Sequence, residues 1–188
     1  MPFTENNEAA SHIGKAEAGK RIAFGSYKGA PIEWRVLDIE DGRALLVSKY
    51  LLDKRPYNET WTDVTWETCD LRKWLNADFY KAAFNDTEKA GIVETDIVNE
   101  NNPDYKTKGG NDTRDRVFLL SIGQVGRYLP SDTDRMGKYV SGDRGWWWLR
   151  SPGYYTILAA YVLTNGVAAY GRSVDSGFGL RPALWLNL

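Results

Sequence analysis

Between Trp146 and Leu188 the chain reads WWWLRSPGYYTILAAYVLTNGVAAYGRSVDSGFGLRPALWLNL. Apolar anchors recur at short intervals (Trp147, Leu149, Val162, Val167, Val174, Leu184, Leu186), punctuated by small turn residues (Gly153, Gly166, Gly171, Gly177, Gly179). The positions in between carry chemically mixed side chains: Tyr154, Tyr155, Thr156, Ile157, Leu158, Thr164, Asn165, Ala168, Ala169, Tyr170, Arg172, Ser173, Asp175, Ser176 and Phe178. Their chemistry is that of recognition. Tyr supplies large contact area and a hydrogen-bonding tip at low conformational cost. Ile157, Leu158 and Phe178 add apolar anchors, while Arg172 and Asp175 set polarity and orientation. A glycine-punctuated frame holding such a mixture suits a binding surface with hot spots for a protein partner; it does not suit an active site. On this reading the mixed positions are exposed on one contiguous face and tolerate substitution, and Val162, Val167, Val174 and Leu184 are buried beneath them.

Groups that would catalyse or bind metal are scattered. Zinc needs clustered Cys and His, and the chain has one of each, Cys69 and His12. A lone cysteine cannot form an internal disulfide. Cys69 precedes Leu71 and Trp74 at an expected helix start and reads as a core thiol. No Ser-His-Asp set can form with the only histidine in the polar leader. Glu94 and Asp96, two apart on a strand, share one face, which reads as an exposed one. Asp104, Asn111, Asp112, Asp115, Asp132, Asp134 and Asp143 are oxygen donors that would admit a structural calcium, yet their loops read first as turns and caps. No catalytic residue and no metal ligand is therefore assigned, and no cofactor beyond that structural calcium.

The run WWLRSPG, followed by AAYV, NGV, a Gly-rich stretch and GLRPALWL, resembles the C-terminal half of C-type lectin-fold variable proteins, the targets of diversity-generating retroelements in bacteria and phages. Upstream, IAFGSYKGAPIEWRVLDIEDGRALLVSKYLLD, DLRKWLNADFYKAAFNDTEKAGI and RDRVFLLS are similar to a large uncharacterised bacterial domain family of that fold. The resemblance spans Arg21 to Leu188. It implies a C-type lectin-like domain over 21–188 with a variable region at about 147–180, preceded by a leader or short helix over 1–20. It also implies that the mixed positions named above are the diversified, ligand-binding ones. Such retroelements substitute adenines, chiefly in asparagine codons, which cannot yield Lys, Glu, Gln, Met or Trp. None of the five occurs from Pro152 to Pro182, although the chain holds eight Trp. A Gly-rich β segment also disfavours long charged side chains, which accounts for the missing Lys and Glu but less well for Trp. The sugar-binding tripeptides Glu-Pro-Asn and Gln-Pro-Asp are missing; Asn102-Pro103-Asp104 is a partial echo. The implied function is a diversified receptor for a protein or cell-surface ligand, not an enzyme. A non-diversified structural or assembly domain of the same fold is the alternative.

The elements that would position these residues follow from pattern. At 188 residues with 43% hydrophobic and 26% charged, the chain fits one globular domain. A formal net charge of −1 gives no basic field for nucleic acid or anionic membrane. No apolar run approaches a membrane span, and the N-terminus lacks an apolar signal core, leaving the cytoplasm, a virion or a cell surface open as locations. Strands are expected at 21–27, 31–39 and 43–50, the last two joined by a hairpin at Asp41-Gly42. Helices are expected at 70–76 and 77–84, with Asp70 as N-cap, an extended stretch at 90–98, a strand at 116–121 and a helix at 122–128. Segments 99–113 and 131–143 read as polar loops. Asn165-Gly166 marks a second hairpin, and 180–186 the closing strand. Trp34, Trp74, Trp147 and Trp185 are expected in the core; Trp146 and Trp148 point the other way, either flooring the binding surface or lying under loops. The order strands, helices, strands predicts an α+β class, and the resemblance predicts that 21–27 pairs antiparallel with 180–186.

Overall fold

The computed structural model describes residues 16–188; His12 and most of the leader lie outside them. The chain is one α+β domain. A single hydrophobic core, running from Ile22 through Trp34, Leu46, Phe79, Phe118 and Trp147 to Leu186, serves all its elements. The first sheet begins with β1 (Arg21–Tyr27), β2 (Ala30–Glu40) and β3 (Arg43–Ser48). Both connecting turns have two consecutive residues with positive φ, Lys28-Gly29 and Asp41-Gly42, the backbone that matches strand twist in a two-residue hairpin. β4 (Lys54–Pro56) leads away, and after β5 (Ile92–Val93) the chain returns to this sheet only as its last strand.

Between them lies a helical segment: α1 (Asp70–Trp74), a π-helical turn (Leu75–Phe79) and α2 (Tyr80–Ala83), followed by α3 (Asp86–Gly91). Cys69, not Asp70, occupies the N-cap. The Asp70 carboxylate instead accepts the Glu59 N–H and pairs with Lys73. β6 (Thr95–Ile97) and β7 (Thr113–Asp115) form a two-stranded ribbon. Residues 116–121 are a departure from expectation. Their Val117–Leu120 core is fully buried, but they are not a strand: Arg116 and Val117 bend, and Phe118 alone forms a bridge. The backbone N–H groups of Arg116 and Val117 donate to the Asn76 side chain, Phe118 bridges Ala183, and the Leu120 carbonyl accepts from Arg150. Their hydrogen-bonding capacity is shared among three elements, so no ladder forms. α4 (Ile122–Tyr128) follows with a reciprocal Ser121/Gln124 capping box, as that sequence signature favours. The 131–143 loop contains α5 (Asp132–Arg135) and β8 (Gly137–Lys138), which pairs with β9 (Arg144–Gly145).

The second sheet contains β10 (Trp147–Pro152), β11 (Leu158–Val162), β12 (Ala168–Ser173) and β13 (Gly177–Gly179), in the order β12-β11-β10-β13-β4. β14 (Ala183–Asn187) closes the first sheet, in the order β1-β2-β3-β14-β5. The expected pairing of the two terminal strands is therefore wrong: they share a sheet but are separated by β2 and β3. The reason lies in burial. Ala44 to Ser48 of β3 are all fully buried, as in a strand covered on both faces and flanked on both edges. β1 instead alternates exposed and buried at its start, the pattern of an edge strand. Two tight hairpins fix β1 and β3 on opposite sides of β2, and β14 takes the free edge of β3, with Trp185 opposite Leu45. Trp185 is consequently half-buried, and Trp74 likewise, where core positions were expected; Trp34 and Trp147 are fully buried.

Candidate binding face

None of the mixed positions of the C-terminal segment is buried: Tyr154, Tyr155, Asn165, Arg172 and Asp175 are exposed and the others partly so. The frame between them is closed. All six residues of β10 are buried, and so are Val162, Val174, Leu180 and Leu184. Val167 is a correction, being exposed on the hairpin between β11 and β12. That hairpin turns through Thr164-Asn165, one residue earlier than expected, with the Gly166 N–H donating to the Leu163 carbonyl; Gly166 follows at φ +90, with a Cβ position 1.8 Å from the Asp132 carbonyl oxygen, so only glycine fits.

The exposed positions do not form one contiguous face. In the ladder between β11 and β12, Ala159 pairs with Arg172 and Tyr161 with Ala169. One residue, Ala160, thus opposes two, Tyr170 and Gly171, which is a β-bulge. Arg172 falls on the side of Ala159 and Tyr161, and Tyr170 on the other. The contacts agree with this division. Arg172 lies over the Trp146 ring at 4.6 Å, and Trp146 meets Tyr161 at 5.6 Å and Phe178 at 5.2 Å. Beneath them Trp148 is fully buried against Phe178, Tyr57 and Tyr161. Of the two tryptophans beside Trp147, Trp146 reaches the surface and Trp148 does not.

Across the bulge, Tyr170 stands 6.4 Å from Tyr154 and 6.0 Å from Tyr105, and Tyr105 meets Tyr154 edge-on at 4.3 Å. Burial, and then the neighbouring Asp104 carboxylate, raise the Tyr170 phenol above its ordinary value. Close backbone approach builds this cluster. The Tyr154 N–H donates to the Tyr170 carbonyl at 3.0 Å, and a Cβ on Gly153 would sit 2.0 Å from that same oxygen. Tyr105 was not anticipated from sequence. Its loop is anchored by fully buried Asn102, whose amide donates to the Pro152 carbonyl and whose carbonyl accepts the Asp104 and Tyr105 N–H groups. Asn-Pro-Asp is a turn initiator, and that signal could have pointed to a presented aromatic; the partial echo of a sugar-binding tripeptide is a structural anchor.

A third loop borders the same end of the sheet. Thr156 accepts the Val64 N–H through its carbonyl and donates its hydroxyl to Asp63, and the Val174 carbonyl accepts from Asn58. The exposed aromatic side chains among the described residues are Trp61, Tyr105, Tyr154 and Tyr155. All four therefore sit on three loops tied together by hydrogen bonds. Ser173, Asp175 and Ser176 turn beside them, with the Ser173 hydroxyl on Asp175. Thr164 and Asn165 lie at the far end of the β11–β12 hairpin and do not join this cluster.

The groups weighed for other chemistry are engaged in structure. Cys69 is buried and its thiol is pushed up to about 12 by that burial, which keeps it protonated. Glu94 and Asp96 are exposed and paired with Arg114, and Glu94 also with Arg116. Asp115 accepts from Trp66, Arg72 and Thr113, Asp112 from the Asn99 N–H, Asp134 from Arg35 and Ser131, and Asp143 from Ser141. Among the described residues no group of three His, Cys, Asp or Glu gathers as a metal site. No helix among them is long and apolar enough to cross a membrane.

The fold and its exposed loops define an α+β domain that displays aromatic side chains on a closed sheet frame. Residues 41–188 match the model of a domain of unknown function, DUF6273, and the chain belongs to that family. No curated protein and no solved structure matches the chain.

Proposed function

We propose that the chain is a ligand-binding module of C-type lectin-like fold, a diversified receptor whose C-terminal side chains are varied by retroelement mutagenesis to engage a protein or cell-surface target. The observation that carries this reading is the separation of roles along 152–182: every mixed position is at least partly accessible, and Ala159 to Val162, Val174 and Leu180 to Pro182 are buried. Substitution at the exposed ones among the mixed positions (Tyr154, Tyr155, Asn165, Arg172 and Asp175) leaves the core intact, which is what repeated mutagenesis requires. The exposure of Trp61, Tyr105, Tyr154 and Tyr155 on three hydrogen-bonded loops supports a protein ligand, because Trp and Tyr dominate interface hot spots. Binding on this reading uses no metal and no catalytic residue.

The test has two arms. The coding DNA of a diversified receptor has a near-identical repeat beside a reverse transcriptase, differing from it at adenines within codons 154–178. A screen against surface proteins of co-resident bacteria then returns a target whose binding is lost on replacing Tyr154, Tyr155 and Tyr170 together and persists in EDTA. A binding loss in EDTA with the fold intact would show a metal bridging the ligand and refute the metal-free mode. An unvaried locus combined with no surface target would favour the structural or assembly alternative.

A further inference from the structure

Beside the Trp146–Phe178 patch is a cleft of about 300 Å³ lined by Lys54, Tyr139, Arg144, Trp146, Thr164 and Phe178 over a floor of glycines. No carboxylate lines it. Among the described residues, neither Lys54 nor Arg144 forms an ion pair, and the Lys54 ammonium, the Arg144 guanidinium, the Trp146 indole N–H and the Tyr139 and Thr164 hydroxyls make no hydrogen bond there. Arg144 is also directly opposite Lys138 in the β8–β9 ladder. Like charges in that position are unfavourable, and Lys138 likewise has no carboxylate partner among the described residues. Many surface cations go unpaired because exposed ion pairs contribute little. Lys54 and Arg144 differ in lining one concave site with an aromatic wall, where one sign of charge is focused rather than dispersed. That concentration is not a consequence of overall charge, since the formal net charge is −1.

We propose that this cleft binds an acidic sugar residue, a hexuronate, with its carboxylate held by Lys54 and Arg144 and its ring against Trp146 and Phe178. A donor-rich, acceptor-poor cleft is complementary to a carboxylate, and guanidinium and ammonium groups form strong charge-assisted hydrogen bonds to it. The volume is at the small end of ligand sites, which run from about 300 to 1,000 Å³, and so admits a single ring; it is larger than a bare inorganic anion needs. Tyr139 and Thr164 offer hydroxyls that both donate and accept, matching sugar hydroxyls. The side chain of Lys54 lies along Gly177, whose Cβ position is 3.5 Å from the lysine Cε, an ordinary packing distance. This ligand assignment rests on the binding-module reading through Thr164 and Phe178, which belong to both surfaces; its cations lie outside the diversified positions.

Titration calorimetry of the full chain with D-glucuronate, glucose and inorganic sulfate tests it, alongside Lys54→Met, Arg144→Met and Tyr154→Ala/Tyr170→Ala variants whose folding is checked by thermal melts. Glucuronate is expected to bind, with affinity falling about tenfold in each cation variant, the usual scale for losing a hydrogen bond to a charged group. Glucose is expected not to bind measurably, and the double tyrosine variant to bind glucuronate as the parent does. The proposal is overturned if glucuronate does not bind, if Lys54→Met and Arg144→Met both leave its affinity unchanged, or if sulfate binds as tightly as glucuronate. Loss of a protein target in the tyrosine variant with glucuronate binding retained separates the diversified face from the cleft, as does the converse.

Discussion

Tyr170 and Arg172 stand two residues apart on one edge strand and point to opposite sides of the sheet. The bulge opposite Ala160 produces this, since Tyr170 and Gly171 together occupy the place of one residue in the ladder. Tyr170 joins the tyrosines of two loops, and Arg172 covers Trp146. A regular strand would have put both side chains on one face. The bulge therefore divides the accessible positions into two surfaces, one presenting Tyr105, Tyr154 and Tyr170, the other Arg172, Trp146 and Phe178.

Two glycines beside the bulge are expected to respond differently to alanine. At Gly153 a Cβ meets backbone, 2.0 Å from the Tyr170 oxygen, whereas at Gly171 it meets the Tyr154 ring at 2.6 Å, and that ring is exposed and can swing away. Gly153→Ala should cost about 2–3 kcal/mol or more, and Gly171→Ala under about 1 kcal/mol. Urea titration of both variants decides, and equal losses would contradict the close backbone approach at Gly153.

The frame and its displayed side chains should separate cleanly in stability. Trp147→Ala removes a fully buried ring and its indole bond to the Arg135 carbonyl, a loss of about 3–5 kcal/mol. Changing Tyr155, Asn165 and Arg172 to Ser should stay within roughly ±0.5 kcal/mol per site. Phe178 will not share that tolerance, because it lies 4.6 Å from the Trp148 ring; Phe178→Ala should cost at least about 1 kcal/mol. Denaturant titrations of the three variants measure this ordering.

Asn102→Ala should loosen one surface from a distance. The buried amide ties the 99–113 loop to Pro152 and holds the Asp104 and Tyr105 N–H groups. Its removal leaves buried partners unsatisfied, at about 1–3 kcal/mol, and releases Tyr105 from Tyr154. NMR contacts between the two rings should vanish in the variant; their persistence would mean that ring packing alone positions Tyr105.

Asp53 sets an acid limit to stability. Burial pushes its carboxyl upward, but hydrogen bonds from Lys28, Tyr27 and the Lys54 N–H outweigh this and hold it below the ordinary carboxylate value. A carboxyl depressed in the folded state contributes stability that is full above its unfolded value, about 3.9, and is lost as pH falls through the folded one. The stability advantage of the parent over Asp53→Asn should thus be largest near neutrality and shrink below pH of about 4. Urea melts of both proteins across that range provide the check, and a constant difference would show that the carboxyl charge contributes nothing.

Much of this organisation is written in local pattern. Asp41-Gly42 and Gly166 mark hairpins because few other residues tolerate positive φ there, and Ser121 with Gln124 marks a helix start because each satisfies an orphan backbone donor of the other. Alternation of anchors, glycines and mixed side chains after Trp146 identified which positions reach solvent, since a closed sheet leaves few places for Arg172, Asp175 or Asn165 except outside. Tertiary structure alone decided the rest. Whether β14 lies beside β1 or β3 depends on which edge the hairpins leave free, a relation between segments far apart in sequence. Residues 116–121 look like a strand until the Asn76 side chain takes their first N–H groups. The partition of Tyr170 from Arg172 requires a register slip with β11 that no local pattern encodes. Tyr105, Lys54 and Arg144 reach their surfaces only because distant loops and strands converge there, and side chains brought together by such long-range pairing leave no periodic trace in the chain.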